Sequence, residues 1–172
     1  MQENELKPAE DLGTSMKLGM RRWASGVSVL STRDESGERH AMTVSSMTSV
    51  SDNPASLLVC VNTQVALEGH LSTPGTLFAV NVLSTEHKAI SNRCAGFEGE
   101  KPRFDIGQWR DGPREVPYLE DAQATFFCQC DQVMTYGTHH IVVARIVDVK
   151  LGPLSIDPLL YIDGGYASLG KD

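Results

Sequence analysis

The spacing of apolar positions changes several times along the chain, and each change predicts an element. From Ser15 the pattern is helical, with Met16, Met20 and Trp23 at i, i+4 and i+7, Ser15 available as an N-cap and Gly26 closing the segment. Val27–Thr32 and Ala41–Ser45 flank the polar turn 34–38, which predicts a hairpin. Leu57–Val61 and Leu77–Leu83 are short continuous apolar runs and read as buried strands, with a short helix over Val65–Leu71 between them. Ser84 is placed to cap a second helix whose apolar side is Ile90, Cys94 and Phe97, and Glu86 suits the positive end of its dipole. Ala122, Ala124, Phe126, Cys128 and Cys130 alternate with Gln123, Thr125, Gln129 and Asp131, a half-buried strand in which only Phe127 breaks the polar face. A long strand over 139–149 and a short one over 158–162, before a turn at Gly164 and Gly165, complete the pattern.

Glu98–Pro117 is dense in Gly, Pro and charge, yet it holds Phe104, Ile106 and Trp109, which predicts an ordered excursion inside one domain. Residues 1–14 read as a flexible N-terminal arm and 15–172 as a single domain. Six or seven mostly antiparallel strands with few, short helices predict a mainly β fold, a closed or partly split β-barrel. The strand-helix alternation and the glycine fingerprint of a dinucleotide-binding α/β domain are both missing.

Composition narrows the function classes. With 172 residues, 41% hydrophobic and 22% charged, the chain can bury a core, and neither disorder nor a fibrous repeat fits. No apolar run reaches the length of a membrane span, and the first residues lack the pattern of a secretory signal, so the expectation is a cytoplasmic protein with nothing cleaved off. Fifteen Lys and Arg against 22 Asp and Glu give a formal charge of −7, which argues against nucleic acid or a membrane surface as partner. A polyanionic ligand would have to be held by a few well-placed donors.

The four cysteines show no zinc-type spacing. Cys128 and Cys130 would share one face of a strand in separate packing slots, so free thiols in a reducing compartment are expected. The five histidines show no metal-ligand spacing, and no metal is expected from them. His139 and His140 point to opposite faces of a strand, and Gly137 just before them would let a ligand approach closely. No nucleophile elbow exists and no Cys lies beside a local His, so nucleophilic hydrolysis has no support. The hydroxyl-rich run Thr43–Ser51 has two readings: solvated strand residues, or consecutive donors that hold a phosphate.

Five segments then carry a resemblance. Arg22–Val27, Ala41–Ser51 followed by Pro54, Phe78–Ser84, Gly137-Thr138-His139, and Pro158–Tyr161 with Gly165-Tyr166 resemble, in the same order, the flavin reductase-like family. The resemblance spans roughly residues 15–167 and implies the FMN-binding split-barrel fold. It implies an NAD(P)H:flavin oxidoreductase that uses NADH or NADPH to reduce FAD or FMN and releases the reduced flavin to a partner monooxygenase, and it implies a homodimer. By the same resemblance the isoalloxazine lies against Arg39, His40, Ala41, Met42 and Thr43, with phosphate on Ser45 and Ser46. Cys60, Val61, Asn62, Ala66 and Leu67 would line the ribityl and phosphate region. Arg93 would reach the phosphates or adenine, next to Cys94, which stands where the family has an aromatic residue.

His139 is placed as the catalytic-site residue on the nicotinamide side, with Thr138 replacing the family's usual acid. Leu159, Leu160, Tyr161 and Ile162 form the nicotinamide-site segment. Because both cofactors supply the electronics of hydride transfer, His139 is expected to position the nicotinamide rather than to donate a proton. Two further readings remain: a non-catalytic flavin-binding electron carrier on the same fold, which would hold flavin tightly without NADH turnover, and an oxidase of the pyridoxamine-phosphate type, which would want more basic residues.

Overall fold

The structure is a computed structural model that describes residues 11–65 and 67–170. The arm expected over 1–14 therefore lies mostly outside the described residues. Its last part is helical: α1 runs over Leu12–Met20, capped by Asp11, whose side chain accepts from the Thr14 N–H. Ser15 sits inside α1 rather than at its start, because an aspartate four residues earlier supplies the acceptor that the first turn needs. The helix ends at Arg21, well before Gly26.

Twelve strands follow: β1 (Ser25–Gly26), β2 (Ser28–Arg33), β3 (Arg39–Val44), β4 (Thr48–Asp52), β5 (Ala55–Asn62), β6 (Leu77–Val82), β7 (Trp109–Asp111), β8 (Pro117–Leu119), β9 (Ala124–Tyr136), β10 (His139–Leu151), β11 (Leu160–Ile162) and β12 (Gly165–Ala167). Two short helices, α2 (Glu68–Leu71) and α3 (Lys88–Cys94), lie between β5 and β7. Seven strands form one antiparallel sheet in the order β3-β2-β6-β9-β10-β5-β4. Its edges, β3 and β4, are consecutive in sequence, so the sheet curls round until the loop joining them spans the remaining gap. The Ser46 hydroxyl, on that loop, extends the pairing of β4 on β5: its Oγ accepts from the Cys60 N–H and donates to the Cys60 carbonyl, each at 3.0 Å. The register of β9 on β10 slips between Val143 and Ala144 and between Ile146 and Asp148, bulges that bend a long hairpin around the barrel.

Inside the barrel Leu30, Val59, Val61, Phe78, Val80, Cys128 and Val142 pack in the largest core cluster. A second cluster, with Val27, Val29, Ala41, Leu83, Ile90, Cys94 and Leu119, lies under α3 and the excursion. The pattern of β9 departs from strict alternation because Phe127 is buried on the outer face, against Ala79 and Val116 and edge-on to Tyr118, under the excursion. Both faces of the strand are covered there. Ser84 caps the segment entering α3, as predicted, sharing a capping box with His87. Phe97 does not join the apolar side of α3; it is 71% exposed, because the helix has already ended at Ala95.

β11 and β12 form a separate hairpin whose turn is Asp163–Gly164 rather than Gly164–Gly165, both turn residues having positive φ. β1 pairs with β11 and closes this small sheet over the end of the barrel. Arg21 anchors it, donating from Nε to the Asp163 carboxylate at 3.0 Å and from its terminal nitrogen to the Asp163 carbonyl at 2.9 Å. Among the described residues no helix is long and apolar enough to cross a membrane.

Candidate functional site

β3 is an edge strand, bonded to β2 on one side only, so its outer backbone groups face a groove. Thr43 is fixed there by donating to the Ser91 carbonyl on α3 at 2.7 Å. Ser91 also exchanges a 2.8 Å hydrogen bond with the Tyr166 hydroxyl, which ties β12 to the same helix. Tyr161 meets Tyr166 edge to face at 5.5 Å. Thr43, Ser45, Phe97, Tyr161 and Tyr166 line a cleft of about 260 Å³, and Ser45 and Tyr161 continue into a wider one of about 750 Å³ bounded by Met20, Trp23 and Met47. At the other end of β3, Arg39, His40 and Ala41 line a third cleft, of about 550 Å³, with Arg103 and Phe104 from the excursion. The Arg39 guanidinium lies 4.5 Å from the centre of the Phe104 ring, and Arg103 donates to the Ala41 carbonyl.

The residues expected at a flavin site fall into three groups. Arg39, His40, Thr43 and Ser45 lie along β3 and its exit and line these clefts, with Tyr161 and Ile162 on β11 closing one end, whereas Met42 packs against the barrel core and Leu160 lines none of the clefts. Ser46, Cys60, Asn62 and His139 form a second patch: Cys60 and Asn62 are partly exposed two residues apart on β5, and Asn62 pairs with His139 across the ladder. Ser46 is partly committed, since its hydroxyl is tied to the Cys60 backbone on β5. His139 is exposed, its Nδ1 2.9 Å from the Thr138 hydroxyl, and it does not line the clefts that carry Thr43 or Tyr161.

The third group has its side chains in the core. Ala41, Val61, Leu67, Cys94 and Leu159 are all buried and leave a ligand almost no surface to touch. Ala66 lies outside the described residues. Burial pushes the Cys94 thiol up to about 11, opposed by the positive charges of Arg103 and Arg93, so at neutral pH this residue is an uncharged core group and no aromatic stacking platform. Arg93 is engaged within the chain, donating to the Glu98 carboxylate at 3.1 Å and to the Pro102 carbonyl at 2.9 Å. Hydrogen bonds from Lys101 and then Arg93 hold the Glu98 carboxyl below its ordinary range. In this conformation Arg93 pins the start of the excursion instead of pointing into a groove.

Of the residues lining these clefts, Arg39 was expected at the site, but Phe97, Arg103 and Phe104 were not. Their only sequence signal is the presence of aromatic and basic residues in a stretch otherwise rich in Gly and Pro.

An open groove along an edge strand, with hydroxyls, a tyrosine pair and cations at one end, suits a flat aromatic ring bearing a polar chain. The fold and groove together define a split-barrel nucleotide-cofactor protein. The chain belongs to the flavin reductase like family, whose model matches residues 20–170. Over 167 residues it is 35% identical to the reductase component of the FADH2-dependent resorcinol hydroxylase of Rhizobium sp. strain MTP-10005, covering 96% of this chain and 91% of that one. It is 30% identical over 165 residues to the FMN reductase (NADH) RutF of Agrobacterium fabrum, covering 96% and 93%. Among solved structures, BorF, the flavin reductase component of a bacterial two-component tryptophan halogenase, superposes with a TM-score of 0.81 at 31% identity, over 92% of this chain and 99% of that one.

Proposed function

We propose that this protein is an NADH-dependent flavin reductase that reduces FAD or FMN and releases the reduced flavin to a partner monooxygenase. The observation that carries the reading is the β3 groove, an unpaired strand edge flanked by Thr43, Ser45, Tyr161 and Tyr166, in a chain that belongs to the flavin reductase like family. A bound flavin supplies the electron-accepting ring for a hydride from the reduced nicotinamide. The chain's own part is binding and alignment. Thr43 and Ser45 offer hydroxyls, the outer edge of β3 offers backbone donors and acceptors, and the tyrosine pair offers an aromatic wall. Arg39 and Lys88, whose ammonium lies 5.6 Å from the Tyr166 ring centre, place positive charge at the rim of a chain of charge −7. So few cations and so shallow a cleft favour exchange of flavin over permanent retention, which suits a protein that hands its product on.

His139 is assigned to positioning the nicotinamide. Because it is exposed and stands apart from the Tyr161 cleft, a complete site on this reading draws on a second copy of the chain. The proposed homodimer is supported by α1, which has no buried residue and leaves Leu12, Met16, Leu18 and Met20, with Trp23 beyond it, more than half exposed. Four free cysteines suit a reducing compartment such as the cytoplasm.

The test follows NADH absorbance with FAD, FMN or no added flavin. NADH loss that requires flavin supports the assignment. A tightly held flavin with no turnover would indicate an electron carrier instead, and no loss under any combination overturns the reading. In the same assay His139→Ala is expected to raise the KM for NADH several-fold with a smaller effect on kcat, and a wild-type KM removes the positioning role. Sedimentation analysis checks the dimer, and a monomer at assay concentration refutes it.

A further inference from the structure

The turn joining β2 to β3 holds a cluster that shares His40 with the residues expected at the flavin site but whose other members, Asp34 and His70, the proposed reaction does not use. Asp34 opens the turn, and its carboxylate is oriented from within it: Oδ1 accepts from the Ser36 N–H at 2.9 Å, the Ser36 hydroxyl at 2.7 Å and the Glu38 N–H at 2.9 Å. Oδ2 is thereby turned toward His40, whose Nε2 lies 2.8 Å away. His70, in the last turn of α2, stacks its ring on His40 with centroids 4.2 Å apart and planes inclined by 21°. No described residue hydrogen-bonds to a ring nitrogen of His70. One ligand atom from each of the three residues lies within 4.8 Å of the other two. The Asp34 and His40 side chains are only 14% and 19% exposed, so this is a partly enclosed group rather than three surface side chains in passing contact.

We propose that Asp34, His40 and His70 form a binding site for a divalent transition metal of the zinc class. Two neutral imidazoles and one carboxylate are the donor set that such ions take, and three protein ligands leave a fourth position for water. Bonds of roughly 2.0–2.1 Å in a tetrahedron put ligand atoms about 3.3 Å apart. The Asp34–His40 pair needs to open by about half an ångström, and the His70 ring must close in by side-chain rotation, with no change of backbone. The bonds to Asp34 Oδ1 supply the outer support that holds a ligating carboxylate in place. Binding displaces the proton shared between His40 Nε2 and Asp34. The open position would face the cleft of about 740 Å³ lined by Arg33, Asp34, Ser36, His70, Thr73 and Arg114. A plain turn anchor of one ion pair explains Asp34 and His40, but it leaves His70 with a stacked ring and no polar partner among the described residues.

The test is calorimetric titration of tag-free, metal-stripped full-length protein with Zn2+ in a non-coordinating buffer, with competition against a chromogenic chelator. The expected result is one ion per chain, bound about 10- to 100-fold more weakly by His70→Ala and by Asp34→Asn, and unchanged by the double variant His139→Ala, His140→Ala. Absence of one-to-one binding, or wild-type affinity in His70→Ala, overturns the proposal. Should either variant fail to fold, the visible spectrum of the Co2+-loaded wild type decides. A tetrahedral spectrum supports the site, and one indistinguishable from aqueous Co2+ sinks it. None of these readouts involves NADH or flavin, so the proposed reductase function and the metal site stand or fall separately.

Discussion

Asn81 offers the sharpest test of how the barrel holds its excursion in place. It lies on β6 with no exposed surface, and its amide is fully used. Nδ2 donates to the Val29 carbonyl and to the Ser31 hydroxyl, both at 2.9 Å, while Oδ1 accepts from the Leu119 N–H at 2.8 Å and, more distantly, from the Thr125 hydroxyl at 3.4 Å. One side chain thus links β2, β6 and β9 to β8, the strand on which the excursion returns to the core. Asn81→Leu keeps the branching and number of heavy atoms, at a larger volume, and removes every one of these bonds. Ser31 can re-pair, since its hydroxyl already donates to the Pro117 carbonyl at 2.5 Å. The Leu119 N–H loses its acceptor and the Val29 carbonyl loses a donor.

Leaving the buried Leu119 N–H unsatisfied costs about 1–3 kcal/mol, the lost side-chain bond to the Val29 carbonyl, which keeps its ladder partner on β6, costs about 0.5–1.5 kcal/mol, and the added apolar burial returns about 1 kcal/mol, so the expected loss is about 0.5–3.5 kcal/mol. For a chain of this size that corresponds to a fall in Tm of roughly 1–14 °C. Chemical denaturation measures the loss, and hydrogen exchange of peptides spanning 113–122 measures the loosening of β8. A change of stability below about 0.5 kcal/mol, typical of surface substitutions, with wild-type protection at Leu119, would refute the argument that Asn81 ties the excursion to the barrel.

Two other perturbations test the packing. A Cβ at Gly152 would stand 2.0 Å from the Ala122 carbonyl oxygen, a backbone atom that cannot rotate away, so Gly152→Ala should destabilise by about 1–3 kcal/mol or more in thermal melts. Gly19→Ala, on exposed α1 with nothing near its Cβ, should instead be neutral or stabilising by up to about 1 kcal/mol, and equal effects at the two sites would contradict the geometry. Burial raises Cys94 to about 11 and Cys128 to about 12, from an ordinary 9.0. Above pH 9 the unfolded thiols lose protons that the folded ones keep. Stability is therefore intact below that pH and falls as pH rises toward 11 and 12, by about 1.4 kcal/mol per pH unit for each thiol. Denaturation of Cys94→Ala against wild type across this window checks the sign, because the variant should show the shallower decline.

The strands could be read from the sequence because a strand buried on both faces writes its burial as a short continuous apolar run, as in Leu57–Val61 and Leu77–Leu83, which are mostly buried in β5 and β6. The cap at Ser84 was legible for a similarly local reason, since a helix start is satisfied by its own first turn. The hydroxyl-rich strip after β3 was legible as candidate chemistry. What it could not disclose was that the Ser46 hydroxyl is tied to the Cys60 backbone on β5 while Ser45 stays open to solvent. Phe127 looked like an exception to its strand's pattern because the excursion that covers it returns from a segment without periodicity.

The same holds for the residues that tertiary structure alone could sort. Cys94 and Leu159 stand next to a groove in sequence terms and point into the core in space, while Arg93 turns to Glu98. Asp34, His40 and His70 have no metal-ligand spacing: Asp34 and His40 meet across a single hairpin turn, but His70 reaches them from the separate short helix α2 only in the folded chain. Period and capping are short-range quantities, and a single chain carries them in plain order. The side of a strand left uncovered, the partner a charged group finds and the distance between remote imidazoles are set by how the strands close, and no local pattern encodes that.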